Sequence, residues 1–99
     1  MKNNFAPICF FTYNRLAETK KTLNALRKNY LSKHSDLFIF SDGYKNKFEK
    51  SKVENVRKYI KTINGFKSVK IYKSPINKGL ANSIIDGVTK NFLKKLFLI

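Results

Sequence analysis

The sequence predicts an α/β domain built on an open, mostly parallel sheet with helices on both faces. Four short apolar, β-prone runs begin about thirty residues apart, which is the length of one βαβ unit. Between them lie apolar stripes with the three-to-four spacing of helices. The resulting order, βαβαβαβ, favours parallel strands joined by right-handed crossovers.

The first strand is read over Phe5 to Thr12 and the second over Asp36 to Ser41. Both are nearly continuous apolar runs, as expected of strands covered on both faces. The third, Ser68 to Tyr72, alternates apolar and polar residues and suits a position near an edge. The fourth is read over Leu96 to Ile99.

Leu23, Leu26 and Tyr30 mark the apolar face of a first helix, and Val53, Val56, Ile60 and Ile63 that of a second. Leu80, Ile84, Ile85, Val88 and Phe92 mark a third. Each stripe is expected to bury against the sheet, with Lys20, Lys21, Lys28, Lys52, Lys58 and Lys61 facing water.

The 99 residues suffice for one domain, residues 1–99, and not for two. A hydrophobic fraction of 42% with nine Phe and five Tyr is that of a folded chain. The charge is less usual: 21 Lys+Arg against 6 Asp+Glu give a formal +15, with a pI of about 10.1. Such a surface attracts nucleic acid, anionic membrane or phosphorylated small molecules.

All the cations except Arg15, Arg27 and Arg57 are lysines, and Lys, Asn, Ile, Phe and Tyr are all frequent. An AT-rich coding sequence explains this bias without reference to function. The lysines are scattered along the chain and form no basic arm, which disfavours nucleic acid as the partner. A single cysteine, Cys9, excludes an internal disulfide and reads as inert core, and the lone His34 excludes a structural zinc site. A reducing, cytoplasmic setting is expected. No apolar run has the length of a membrane span, so any membrane contact is expected to be peripheral.

In open parallel sheets ligands sit beyond the carboxyl ends of the strands. Thr12, Tyr13, Asn14 and Arg15 follow the first strand and offer a hydroxyl, an aromatic plane, an amide and a guanidinium. A nucleotide ring stacks on such a plane, and a phosphate pairs with such a fork. A plain strand-to-helix turn bent at Asn14 is the competing reading.

Asp42 follows the second strand, where a carboxylate can accept from a base N–H or a ribose hydroxyl; a tight Asp42–Gly43 hairpin turn competes. Asn77, Lys78 and Gly79 follow the third. Gly79 permits close backbone approach, Lys78 offers charge to a diphosphate, and the next helix begins here; Asn77 as a simple helix cap competes. Asp86 receives no role.

Together, Phe11 to Arg15, Ser41 to Gly43 and Asn77 to Ser83 resemble the successive signatures of family 2 glycosyltransferases of the GT-A fold. The resemblance spans nearly the whole chain. It implies that the domain is the Rossmann-like half of that fold and binds a nucleotide-sugar donor, a UDP-sugar. The roles fall to Thr12, Tyr13, Asn14, Arg15, Asp42, Asn77, Lys78 and Gly79.

In the family an acidic motif follows the fourth strand and holds Mg²⁺ or Mn²⁺ against the diphosphate. This sequence stops at Leu98–Ile99, so a fragment or an interrupted reading frame is expected, with no metal ligands and no catalytic residue in the chain. The full-length enzyme is expected to use the divalent cation. It would transfer a sugar to a glycan acceptor bound by a further C-terminal half, in polysaccharide assembly at or near the inner membrane face.

The 99 residues alone are expected to be inactive, because nothing neutralises the leaving diphosphate. The alternative function is a basic nucleic-acid-binding module, supported only by charge. A receiver domain or dinucleotide binder is disfavoured: there is no acid pair after the first strand, no G-x-G-x-x-G and no P-loop.

Overall fold

In the computed structural model, which describes residues 7–91 and 95–98 with side chains through Asp86, strands and helices alternate. The order is β1 (Ile8–Thr12), α1 (Leu16–Lys28), β2 (Asp36–Ser41), α2 (Lys50–Ile60), β3 (Ser68–Lys73), α3 (Leu80–Asn91) and β4 (Lys95–Leu98). The four strands form one parallel sheet in the spatial order β3-β2-β1-β4. Winding therefore runs outward from β1 to β3 and reverses to place β4 on the other side of β1. Right-handed crossovers put α1 and α2 on one face and α3 on the other.

Strand alternation sorts the side chains accordingly. Ile8 and Phe10 of β1 and Leu37 and Ile39 of β2 pack with Leu23 of α1 and Val56 and Ile60 of α2, all of them buried. Each such side chain contributes about 1.5–3 kcal/mol by leaving water. Val69 and Ile71 carry this layer onto β3, where they are half-buried, as suits an edge strand. Lys20, Lys21, Lys28, Lys52, Lys58 and Lys61 are exposed.

The opposite face is aromatic. Phe11, Phe40 and Tyr72 lie side by side in register across β1, β2 and β3. Phe11 and Phe40 stack at 5.0 Å between ring centroids, and Phe40 and Tyr72 do the same at 5.0 Å. No helix among the described residues is long and apolar enough to cross a membrane.

Two expected stripes are corrected. Tyr30 lies past the end of α1, where Asn29 adopts extended backbone and turns the chain outward; its ring is 75% exposed and edges against His34. Thr19 is buried on the inner face of α1 in addition to Leu23. On α3, Leu80 and Ile85 are exposed, so part of the expected stripe faces outward. The strand bounds also shift: β1 begins at Ile8, β3 extends to Lys73 and β4 runs from Lys95 to Leu98. Phe5, Phe92 and Ile99 lie outside the described residues, as does the side chain of Val88.

Candidate functional site

Three loops leave the carboxyl ends of β1, β2 and β3, and specific bonds hold them together. Parallel pairing of β2 with β3 across α2 excludes a hairpin at Asp42–Gly43. Instead the buried Asp42 carboxylate faces the next loop. Its Oδ1 accepts the backbone N–H of Gly43 at 2.9 Å and of Lys78 at 2.8 Å, and its Oδ2 accepts that of Gly79 at 3.0 Å. Charge-assisted bonds of this kind contribute on the order of 1.5–3 kcal/mol each.

Gly43 makes the close approach possible. A Cβ there would meet the carbonyl carbon and oxygen of Ile76 at 2.6 Å, which no real side chain tolerates. The Gly43 N–H also reaches the Ile76 carbonyl at 3.3 Å, and the Asn77 side-chain amide donates to the Gly43 carbonyl at 2.8 Å. Asn77 is thus a loop-to-loop tie and not the cap of α3. Gly79 precedes α3 with φ of +81°, the left-handed region that glycine enters at least cost.

The β1–α1 loop joins the same assembly. The Tyr13 phenol oxygen accepts the backbone N–H of Lys45 at 2.9 Å, and the Asn14 amide donates to Glu49 just before α2. Asn14 therefore does more than bend the backbone. Thr12 shares a buried hydroxyl–hydroxyl bond of 2.8 Å with Thr19, which ties its side chain to α1. Behind the loops, Arg57 of α2 donates to Ser41 Oγ and to the carbonyls of Ser41, Asp42 and Ser74.

These ties frame a cavity of about 450 Å³. Phe11, Phe40 and Leu80 supply its apolar surface, and Thr12, Tyr13, Asn14, Arg15, Asp42, Asn77 and Gly79 line it together with Lys45 and Ser83. The side chains of Arg15 and Lys45 make no hydrogen bond or ion pair among the described residues, so two free cations stand at an aromatic-walled cleft. A flat ring bearing an anionic group fits that chemistry.

No family model, no curated protein and no solved structure matches the chain.

Lys78 is the one sequence-predicted residue that the structure takes elsewhere. Its backbone is pinned by Asp42, but its ammonium pairs with Asp86 at 2.8 Å in a neighbouring cavity of about 420 Å³. The physical reason is local: α3 carries Asp86 eight positions on, within reach of the Lys78 ammonium, and the pair forms at partial exposure. The two cavities adjoin, sharing Phe40, Asp42 and Ser83.

Sequence reasoning missed Phe11 and Phe40 as lining residues, because strand aromatics read as core. Their position one residue before the carboxyl ends of adjacent strands is the signal that marks them. Lys45 and Ser83 carry no sequence signal that separates them from their many neighbours of the same type. Arg57 stands out only as the sole arginine on a helix otherwise decorated with lysines.

The carboxylates bear on the divalent cation that the resemblance implies. Asp36 accepts the Ser68 hydroxyl at 2.6 Å, Glu49 holds Asn14 and lies 3.7 Å from Lys52, Asp86 holds Lys78, and Asp42 holds three backbone N–H groups. Among the described residues no three of His, Cys, Asp and Glu gather as a metal site. These residues do not fit a protein-held Mg²⁺ or Mn²⁺.

Proposed function

We propose that this chain binds the nucleotide of a sugar donor, a UDP-sugar, as the nucleotide-binding portion of a glycosyltransferase of the family 2, GT-A type. The observation that carries the reading is the convergence of Thr12, Tyr13, Asn14, Arg15, Asp42, Asn77 and Gly79, from three loops, on one cavity. Topology alone places the loops on one rim; the bonds from Asp42, Asn77 and Tyr13 draw them to a common cleft. The aromatic wall of Phe11 and Phe40 offers surface for a base, and Arg15 and Lys45 offer charge for a diphosphate.

The role of Asp42 in this reading differs from that of a simple base acceptor. Its oxygens already hold the Gly43, Lys78 and Gly79 amides, so its first task is to shape the pocket. Oδ2, which holds only the Gly79 amide, keeps a lone pair for a base N–H. Sugar transfer to a glycan acceptor, in association with an anionic membrane face, is proposed for the enzyme of which this is the nucleotide-binding portion, and these 99 residues alone are expected not to turn over.

Titration of UDP and of uridine into the chain tests it. UDP is expected to bind more tightly than uridine, and Arg15→Ala to erase most of that difference. Equal binding of the two ligands, or none at millimolar concentration, sinks the nucleotide reading. Salt-sensitive binding of single-stranded RNA that exceeds UDP affinity replaces it with the nucleic-acid alternative.

A further inference from the structure

Arg57 does not line the aromatic-walled cavity, yet its guanidinium bonds to Ser41 at the end of β2 and to the Asp42 and Ser74 carbonyls of the loops that build it. It is half-buried and rises from α2 beside Val56, whose side chain is fully buried with Val53 and Ile60. Its Nε donates to Ser41 Oγ at 2.9 Å. Its Nη2 lies 3.2 Å from the carbonyls of Ser41 and Asp42 and 2.9 Å from that of Ser74.

The pairing of β2 with β3 ends at Ser41 and Lys73, followed by one last bond from the Ser74 N–H to the Ser41 carbonyl at 2.9 Å. Beyond that point the two strands give way to loops, which the Gly43 N–H ties again at the Ile76 carbonyl, and the Asp42 and Ser74 carbonyls lie outside the ladder. The guanidinium bridges them. It continues the strand pairing by one more rung, made from a side chain that the packed helix holds in place.

We infer that Arg57 is the positioning residue of the nucleotide cavity: it fixes the spacing between the Asp42 loop and the loop from Ser74 to Gly79. Fixing the Asp42 carbonyl aims the carboxylate at the Lys78 and Gly79 amides, and these set the far wall. Lysine cannot substitute, because one ammonium does not reach Ser41 Oγ and the bridging carbonyls in the plane that the fork provides. This inference rests on the nucleotide-binding reading for its effect on affinity, and on geometry alone for its effect on the loops.

Two measurements on the full chain test it: UDP titration, and amide hydrogen exchange at Lys78 and Gly79 without ligand. The variants are Arg57→Met, Arg57→Lys, and Lys58→Met, which removes an equal charge from an adjacent, exposed position. Arg57→Met is expected to weaken UDP at least tenfold and to speed exchange at both amides while β1 amides keep their protection. Arg57→Lys recovers only part of either effect, and Lys58→Met stays within twofold of wild type.

Unchanged exchange at Lys78 and Gly79 in Arg57→Met overturns the inference, as does equal loss of affinity in Arg57→Met and Lys58→Met, which would reduce the effect to net charge. If Arg57→Met does not fold, Arg57→Lys decides by the same two readouts. Absence of UDP binding by the wild type defeats the nucleotide reading and leaves the exchange result to judge Arg57.

Discussion

The carboxylate of Asp42 accepts the backbone N–H of Lys78 at 2.8 Å across 36 positions of chain, and the Lys78 side chain turns away from the cavity to Asp86. Backbone and side chain of one residue thus serve different neighbours. The backbone closes the cavity; the ammonium pairs outside it. A lysine that sequence spacing assigns to a diphosphate becomes, in the fold, a structural link between two loops.

Asp42→Asn separates these contributions. The amide keeps one acceptor oxygen but turns an N–H₂ toward one of the backbone donors. The loss of charge-assisted bonding to a buried group is expected to cost about 2 kcal/mol, and the melting temperature to fall by roughly 10 °C. Thermal unfolding followed by circular dichroism checks it, and a shift below about 2 °C would contradict the clamp.

Gly43 and Gly79 are expected to respond differently to alanine. At Gly43 the new methyl collides with Ile76 backbone at 2.6 Å, so the loops must part, at a cost of about 1–3 kcal/mol and with loss of UDP affinity. At Gly79 nothing lies within 4 Å of the added Cβ, and only the φ of +81° penalises the change, by about 1–2 kcal/mol. Urea denaturation of both variants, paired with UDP titration, shows whether affinity falls further in Gly43→Ala.

Among the cations, Arg15→Met is expected to weaken UDP about tenfold, which corresponds to about 1.4 kcal/mol, and Lys78→Met to weaken it less. The difference follows from position, since Arg15 is free at the cavity and Lys78 is held by Asp86. Calorimetric titration at two salt concentrations measures both. A larger effect at Lys78 would mean that its ammonium leaves Asp86 when ligand arrives.

Cys9 is fully buried in β1, and burial pushes its thiol up to about 12 from an ordinary 9.0. The unfolded chain releases this proton near pH 9 while the folded chain retains it. Stability from this group is therefore complete below pH 9 and is lost as pH rises from 9 toward 12. Cys9→Ala is expected to show a shallower decline across that window than wild type. Iodoacetamide at pH 8 is expected to label Cys9 only after unfolding.

Much of the fold is legible in the sequence because its signals are local. Runs such as Asp36 to Ser41 and stripes such as Val53, Val56 and Ile60 announce strand and helix through spacing alone, and their repetition announces parallel order. The failures are where local spacing continues past a structural stop. Tyr30 keeps the helical step after α1 has ended, and Ile85 belongs to an apolar run yet stays exposed on α3.

The candidate site was legible as loops and not as contacts. Thr12 to Arg15, Asp42, and Asn77 to Gly79 declare themselves by lying just past strand ends, but residue type does not reveal which atoms are spent on the protein itself. The occupied carboxylate of Asp42, the Thr12–Thr19 bond and the Arg57 brace arise from residues distant in sequence.

By itself the sequence determined the element order, the parallel α/β class and the loops that line the candidate cavity, since each depends on periodicity and on residues close together in the chain. The tertiary structure alone decided that the Lys78 ammonium leaves the cavity, that Asp42 organises backbone amides, and that Arg57 extends the pairing of β2 and β3. Those outcomes depend on hydrogen-bond distances between separate elements, which exist only once the helices and strands have packed.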